Sequence, residues 1–165
     1  MWSCSARPGG HDAGGLPVSR AGREQPARGR LGALQAALGA EEATIYGYGV
    51  AGAHLTGASY SLAYADSVLH ERARDVLIGL IEALGAQPQA SAVAYRLPVA
   101  VNSAASARVL AARLELDLAA AYLGLAGVDD PALRKLAAVR MQGAAVRAAR
   151  WDGGTEAFPG IQPPG

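Results

Sequence analysis

The sequence predicts an all-α protein, an antiparallel four-helix bundle with one long crossover between its second and third helices. Three observations predict it. Four segments carry apolar residues at alternating spacings of three and four, the period of a helix face. The chain is rich in Ala and 5% aromatic; small side chains suit closely packed helices, whereas a sheet core draws on β-branched and aromatic residues. The connections run short, long, short, and a bundle joined by short loops throughout would not need the long middle link.

The first helix is expected from about Arg30 to Ala58, with Leu31, Leu34, Leu38, Glu41, Ile45, Tyr48, Gly52 and Leu55 on one seam. Gly47, Gly49 and Gly52 are costly there, at about 1 kcal/mol each against Ala, and imply a bend or a close neighbour. The second runs from about Tyr60 to Leu84 and presents Asp66, His70, Ala73, Leu77, Leu80, Ile81 and Leu84 inward. Gly85 then supplies a left-handed stop. Residues 86–102 contain Pro88 and Pro98 and no helical stripe, so they read as the crossover, with Tyr95, Leu97 and Val99 free to pack on the helices. The third helix follows Ser103 as N-cap and ends at Ala126 before Gly127. The fourth has the clearest start in the chain, Asp130 then Pro131, and runs to about Trp151. Leu133, Ala137, Met141, Ala144, Ala148 and Trp151 face inward.

Outside residues 30–151, two flanks lack periodicity. Residues 1–29 are rich in Gly, Pro, Ser and Arg and read as a disordered basic tail, and 152–165 as an extended C-terminal tail. Arg7, Arg20, Arg23, Arg28 and Arg30 have no interleaved aromatics, so a solvated leader is preferred to a nucleic-acid arm. The net charge of +1 gives no field toward nucleic acid or anionic membrane. Cys4 is the only cysteine, which excludes an internal disulfide. No secretory signal and no spanning apolar run is visible, and a cytoplasmic location follows by default.

Chemistry, if any, must come from polar residues on the apolar stripes. Glu41 and its neighbour Glu42, Asp66 and His70 one turn apart, and Glu115 are those residues. A buried carboxylate needs a proton, a cation or a metal. A di-metal bundle needs Glu from two helices and Glu-x-x-His from the other two. Here Ser67 stands where the second helix would need Glu, and 131–151 contains no Asp, Glu or His. A complete di-iron centre therefore cannot be assembled from one chain, which leaves two readings. In the preferred one, Arg140 or Arg74 pairs with Glu41 or Glu115 and His70 bonds Asp66, giving a buried polar network of Glu41, Glu42, Asp66, His70, Glu115 and Arg140. In the other, Glu41, His70 and Glu115 hold a single iron, manganese or zinc ion. The tyrosines Tyr46, Tyr48, Tyr60, Tyr64 and Tyr122 are expected to cluster near the first hairpin. His11 and His54 lack ligand-spaced companions, and there is no Gly-x-Ser-x-Gly elbow or phosphate loop.

The segment AALGAEEATIYGYGVAGAHL resembles the start of an uncharacterised ferritin-like domain family of GC-rich bacteria. The similarity continues through HERARDVLIGLI, RLELDLAAAYLGL, AAVRAARW and AFPG, so it covers roughly 31–160. It implies a ferritin-like bundle and no particular reaction. The family commonly has Glu-His where this chain has Glu41–Glu42; Glu41 falls on the family's glutamate and Glu42 replaces the histidine. The resulting expectation is a ferritin-like protein without a complete di-iron centre, a binding or assembly module with no cofactor. It is expected to form homodimers or larger oligomers through its bundle faces. The alternatives are a metal-binding oxidoreductase or iron-handling protein with a mononuclear site, or a site shared between subunits.

Overall fold

A computed structural model describes residues 20–152, with side chains from Arg28 onward. It contains four α-helices: α1 (Arg20–Gly52), α2 (Gly57–Ala83), α3 (Ala104–Ala126) and α4 (Pro131–Asp152). The described residues form an all-α four-helix bundle without strands. α1 packs on α2 and on α3, and α3 packs on α4. α2 and α4 have little direct backbone packing and are joined by long side chains.

α1 starts ten residues earlier than the expected Arg30. Gly and Pro in 20–29 argued against helix, but a nucleated helix gains one backbone bond for each residue added. The expected tails at 1–19 and 153–165 lie outside the described residues.

Local chemistry explains the other boundaries. α1 stops at Gly52 and not near Ala58; the chain tightens there, with the His54 and Leu55 N–H groups donating to the Ala51 and Gly52 carbonyls at 3.0 and 3.1 Å, and Gly57 opens α2 with a left-handed φ of +55°. Gly85 is also left-handed at the far end of α2, with φ +72°. Its N–H donates to the Glu82 carbonyl at 2.8 Å and that of Ala86 to the Ile81 carbonyl at 3.3 Å, the paired bonds of a Schellman cap. Ser103 caps α3 by accepting from the Ser106 N–H at 3.2 Å. Asp130 caps α4 by accepting from the N–H groups of Ala132 and Leu133 at 3.0 and 3.1 Å. Those bonds, and Arg30 at 3.2 Å, hold the Asp130 carboxyl below its usual range.

The start of the crossover is strapped to α1 by one side chain. Gln35 donates from Nε2 to the Gln87 carbonyl at 2.7 Å and accepts from the Gln89 N–H at 2.9 Å. Further along, Tyr95 donates to Glu42 at 3.0 Å, and Leu97, Val99 and Val101 pack on the core.

The apolar interior has two halves. One gathers Leu34, Leu38, Leu77, Ile81, Leu118, Tyr122, Leu125 and Leu133. The other gathers Tyr48, Leu55, Leu110, Leu114 and Trp151. Each fully buried large side chain contributes about 1.5–3 kcal/mol. Gly47 lets α1 and α3 approach closely, since a Cβ there would collide with the Leu114 methyls. Between the two halves every helix contributes polar groups to one layer. No helix among the described residues is long and apolar enough to cross a membrane.

Candidate functional site: a buried ionic layer

His70 is the centre of the layer. It lies on the buried stripe of α2 with Ala63, Asp66, Ala73, Leu77 and Ile81. Its Nδ1 is 2.8 Å from Glu41 Oε2 on α1, and its Nε2 is 3.0 Å from Glu115 Oε1 on α3. A neutral imidazole has one N–H, which would leave a lone pair facing one of the carboxylates. The imidazolium, with an N–H on each nitrogen, satisfies both contacts while both carboxylates stay ionised. Burial opposes that charge, but the hydrogen bonds and negative charges of Glu115 and Glu41 outweigh it and raise the pKa to about 8.

The other members complete the carboxylates' coordination. Tyr122 donates to Glu41 Oε1 at 2.6 Å. Glu115 Oε1 accepts from His70, from Tyr48 at 2.7 Å and from Arg147 Nε at 2.7 Å. Burial alone would raise the Glu115 pKa; the bonds from His70 and Arg147 hold it below the usual carboxylate range. Burial and the adjacent carboxylates push both phenols, Tyr48 and Tyr122, far above their ordinary range, so they act only as neutral donors. Arg147 is held more firmly protonated, because its contact with Glu115 outweighs its own burial.

Asp66 sits one turn before His70 but does not hydrogen-bond to it. Its oxygens accept from Arg150 at 2.6 and 2.8 Å and from the Trp151 indole at 3.0 Å. Trp151 shares that N–H with the Tyr48 hydroxyl at 2.9 Å. Tyr48 has one proton, and the 2.7 Å path to Glu115 takes it in preference to the 3.5 Å path to Asp66. The layer balances three carboxylates, Glu41, Asp66 and Glu115, against three cations, His70, Arg147 and Arg150. Arg147 and Arg150 thus connect α4 to α3 and α2.

Of the residues expected in the network, the structure brings Glu41, His70, Glu115 and Asp66 into one layer. It does not bring in Glu42 or Arg140. A one-residue step turns a helix by about 100°, so Glu42 is aimed at the crossover, where Tyr95 bonds it. The guanidinium on Glu115 is that of Arg147, one heptad beyond Arg140 and roughly 10 Å further along the helix. Arg140 makes no ion pair among the described residues, though its charge favours ionisation of Tyr122. Arg74 pairs with its neighbour Asp75 and with neither glutamate. The tyrosines do not form one cluster: Tyr122 sits toward the opposite half of the core, Tyr46 packs on Tyr95, and Tyr60 and Tyr64 are exposed. Sequence reasoning missed Arg147, Arg150 and Trp151 as members; their signal was the i, i+3, i+4 run at the end of α4.

A metal would require free lone pairs. Glu41, His70 and Glu115 converge, but both imidazole nitrogens are engaged as donors. Among the described residues no group of three His, Cys, Asp or Glu side chains is arranged to hold an ion. One donor remains: Glu115 Oε2 is buried with no hydrogen-bond partner among the described residues.

Comparison with known proteins finds similarity to a solved structure and to a sequence family. A crystal structure of a conserved hypothetical protein, rv2844, from Mycobacterium tuberculosis superposes with a TM-score of 0.73 at 34% identity, covering 76% of this chain and 96% of that chain. A search of curated proteins finds no match. The model of the family called Domain of unknown function (DUF4439) matches residues 33–163. With most of its length matched in sequence and its helices in three dimensions, the chain belongs to that family.

Proposed function

We propose that this is a ferritin-like bundle whose metal-binding layer has been replaced by a closed ionic one, leaving a binding or assembly module and not an oxidase. The observation that supports this most is His70, whose two nitrogens each face a carboxylate within 3.0 Å. An imidazolium cannot ligate a metal. The cation it supplies occupies the place a metal would take between Glu41 and Glu115. Such a layer fixes the register of the helices, and breaking it costs more than forming it contributes. The assembly expected of such a module is a homodimer or larger oligomer.

One observation favours a second reading. The unpartnered Glu115 Oε2 leaves a carboxylate oxygen available if His70 were to release a proton. Glu41, His70 and Glu115 would then hold one iron, manganese or zinc ion. Elemental analysis of protein purified without added metal separates the two. The ionic reading expects substoichiometric metal that Glu41→Ala does not change. One bound ion per chain, lost in Glu41→Ala, would establish the second reading and end the first.

A further inference from the structure

Several helical glycines, among them Gly29, Gly32, Gly49, Gly52, Gly79 and Gly124, have no close neighbour that would exclude a Cβ, and Gly49 and Gly52 stand one turn apart on one cleft. A Cβ on Gly49 would meet nothing within 4 Å, and one on Gly52 would reach only the Tyr60 ring, at 3.9 Å. In this they differ from Gly47, whose space Leu114 fills. Glycine weakens a helix interior, so two unforced glycines one turn apart are a cost without a structural return. Both line the same cavity, a cleft of about 320 Å³ between the end of α1 and the start of α2.

The lining defines what the cleft would take. Tyr48 is one wall, Gly49, Gly52, Ala53 and Ala63 supply small surfaces, and Tyr60, Tyr64 and Ser67 complete it. Tyr60 and Tyr64 are 51% and 65% exposed, unusual for large rings on a domain with few aromatics. No Asp, Glu, Lys, Arg or His is among these lining residues. A charged ligand would therefore lose hydration and find no counter-ion. A flat uncharged ring would stack on the phenols and lie against bare backbone at the glycines. The volume is at the lower end of small-molecule sites, enough for one or two fused rings. The hydroxyls of Ser67, Tyr60 and Tyr64 offer partners for a single polar substituent.

We propose that this cleft is a binding site for a small, neutral, planar aromatic molecule, held open by Gly49 and Gly52. The cleft shares one residue with the ionic layer, Tyr48, whose hydroxyl is already committed to Glu115, and the proposal does not depend on whether that layer takes a metal.

The test titrates 2-naphthol, neutral at pH 7, into the full chain by calorimetry with EDTA present. Choline and 2-naphthoate serve as cationic and anionic comparisons. The expected result is saturable one-to-one binding of 2-naphthol, at least tenfold tighter than either charged probe. The double variant Gly49→Leu/Gly52→Leu places two side chains in the cleft and should weaken binding at least tenfold. Leucine favours helix over glycine, so the variant's melting temperature should equal or exceed that of the parent, which separates a blocked cleft from a misfolded chain. Gly79→Leu, on the exposed face of α2 with open space around its Cβ, should bind within twofold of the parent. The proposal is overturned if 2-naphthol shows no saturation. It is equally overturned if the double variant binds as the parent does, or if a charged probe binds more tightly.

Discussion

Raising the pH should loosen this bundle through one proton. His70 has a folded pKa of about 8 against an unfolded value of 6.5. The raised value means that the folded state holds the proton more tightly than the unfolded chain does. Its stabilisation is therefore fully present below about pH 6.5 and disappears as the pH rises through about 8. A difference of roughly 1.5 units at about 1.36 kcal/mol per unit gives about 2 kcal/mol. The group is nearly inaccessible to solvent, so screening does not reduce that figure much. Urea midpoints followed by circular dichroism at 222 nm between pH 6 and pH 9 measure the loss. The comparison variant is His70→Gln, which keeps a donor between the glutamates but cannot titrate. The wild type should lose about 2 kcal/mol more than His70→Gln across that range, which corresponds to roughly 4–8 °C in melting temperature for a chain this size. His54 is exposed and common to both proteins, so it cancels. Identical pH profiles for the two would refute the imidazolium, and with it the charge balance of the layer.

The remaining predictions test other contacts. Arg147→Met should destabilise by about 3–5 kcal/mol, because it leaves a fully buried Glu115 short of its cation. Arg140→Met should cost under about 1 kcal/mol. Adding Glu115→Gln to Arg147→Met should cost less than the sum of the two single changes, and strict additivity in chemical denaturation would reject the pairing. Gly47→Ala should lower the melting temperature despite alanine's better helix propensity, because overpacking against Leu114 costs about 1–3 kcal/mol; an increase would mean that α3 yields freely. Gln35→Ala removes both bonds that hold the crossover at Gln87 and Gln89. Limited proteolysis should then cut within 86–102 several times faster, and unchanged cleavage would show that Tyr95 and the apolar contacts secure the segment alone.

Much of the architecture was legible because it rests on local chemistry. The Asp130–Pro131 pair, the Ser103 cap and Gly85 each determine a boundary within a few residues of chain, and each stands where its sequence signal placed it. The seams were legible for the same reason: heptad spacing projects Leu34, Leu38, His70, Leu77 and Leu125 to one side of their own helices without reference to any partner. The start of α1 was not legible, because Gly and Pro lower the helix propensity of 20–29, while extending an already nucleated helix adds a backbone bond per residue.

The sequence by itself determined that acids and one histidine would be buried, and therefore that they would need counter-charges. Only the tertiary structure decided which ones. Periodicity fixes the angle of a residue around its helix, but the depth at which α4 lies beside α3 depends on the geometry of the turn at residues 127–130 and on packing across the interface. That depth carries Arg147 onto Glu115 and leaves Arg140 a heptad away. The same relative placement puts Asp66 under Arg150 and Trp151 instead of against His70. It also gives His70 two carboxylates at once, the arrangement that raises its pKa to about 8.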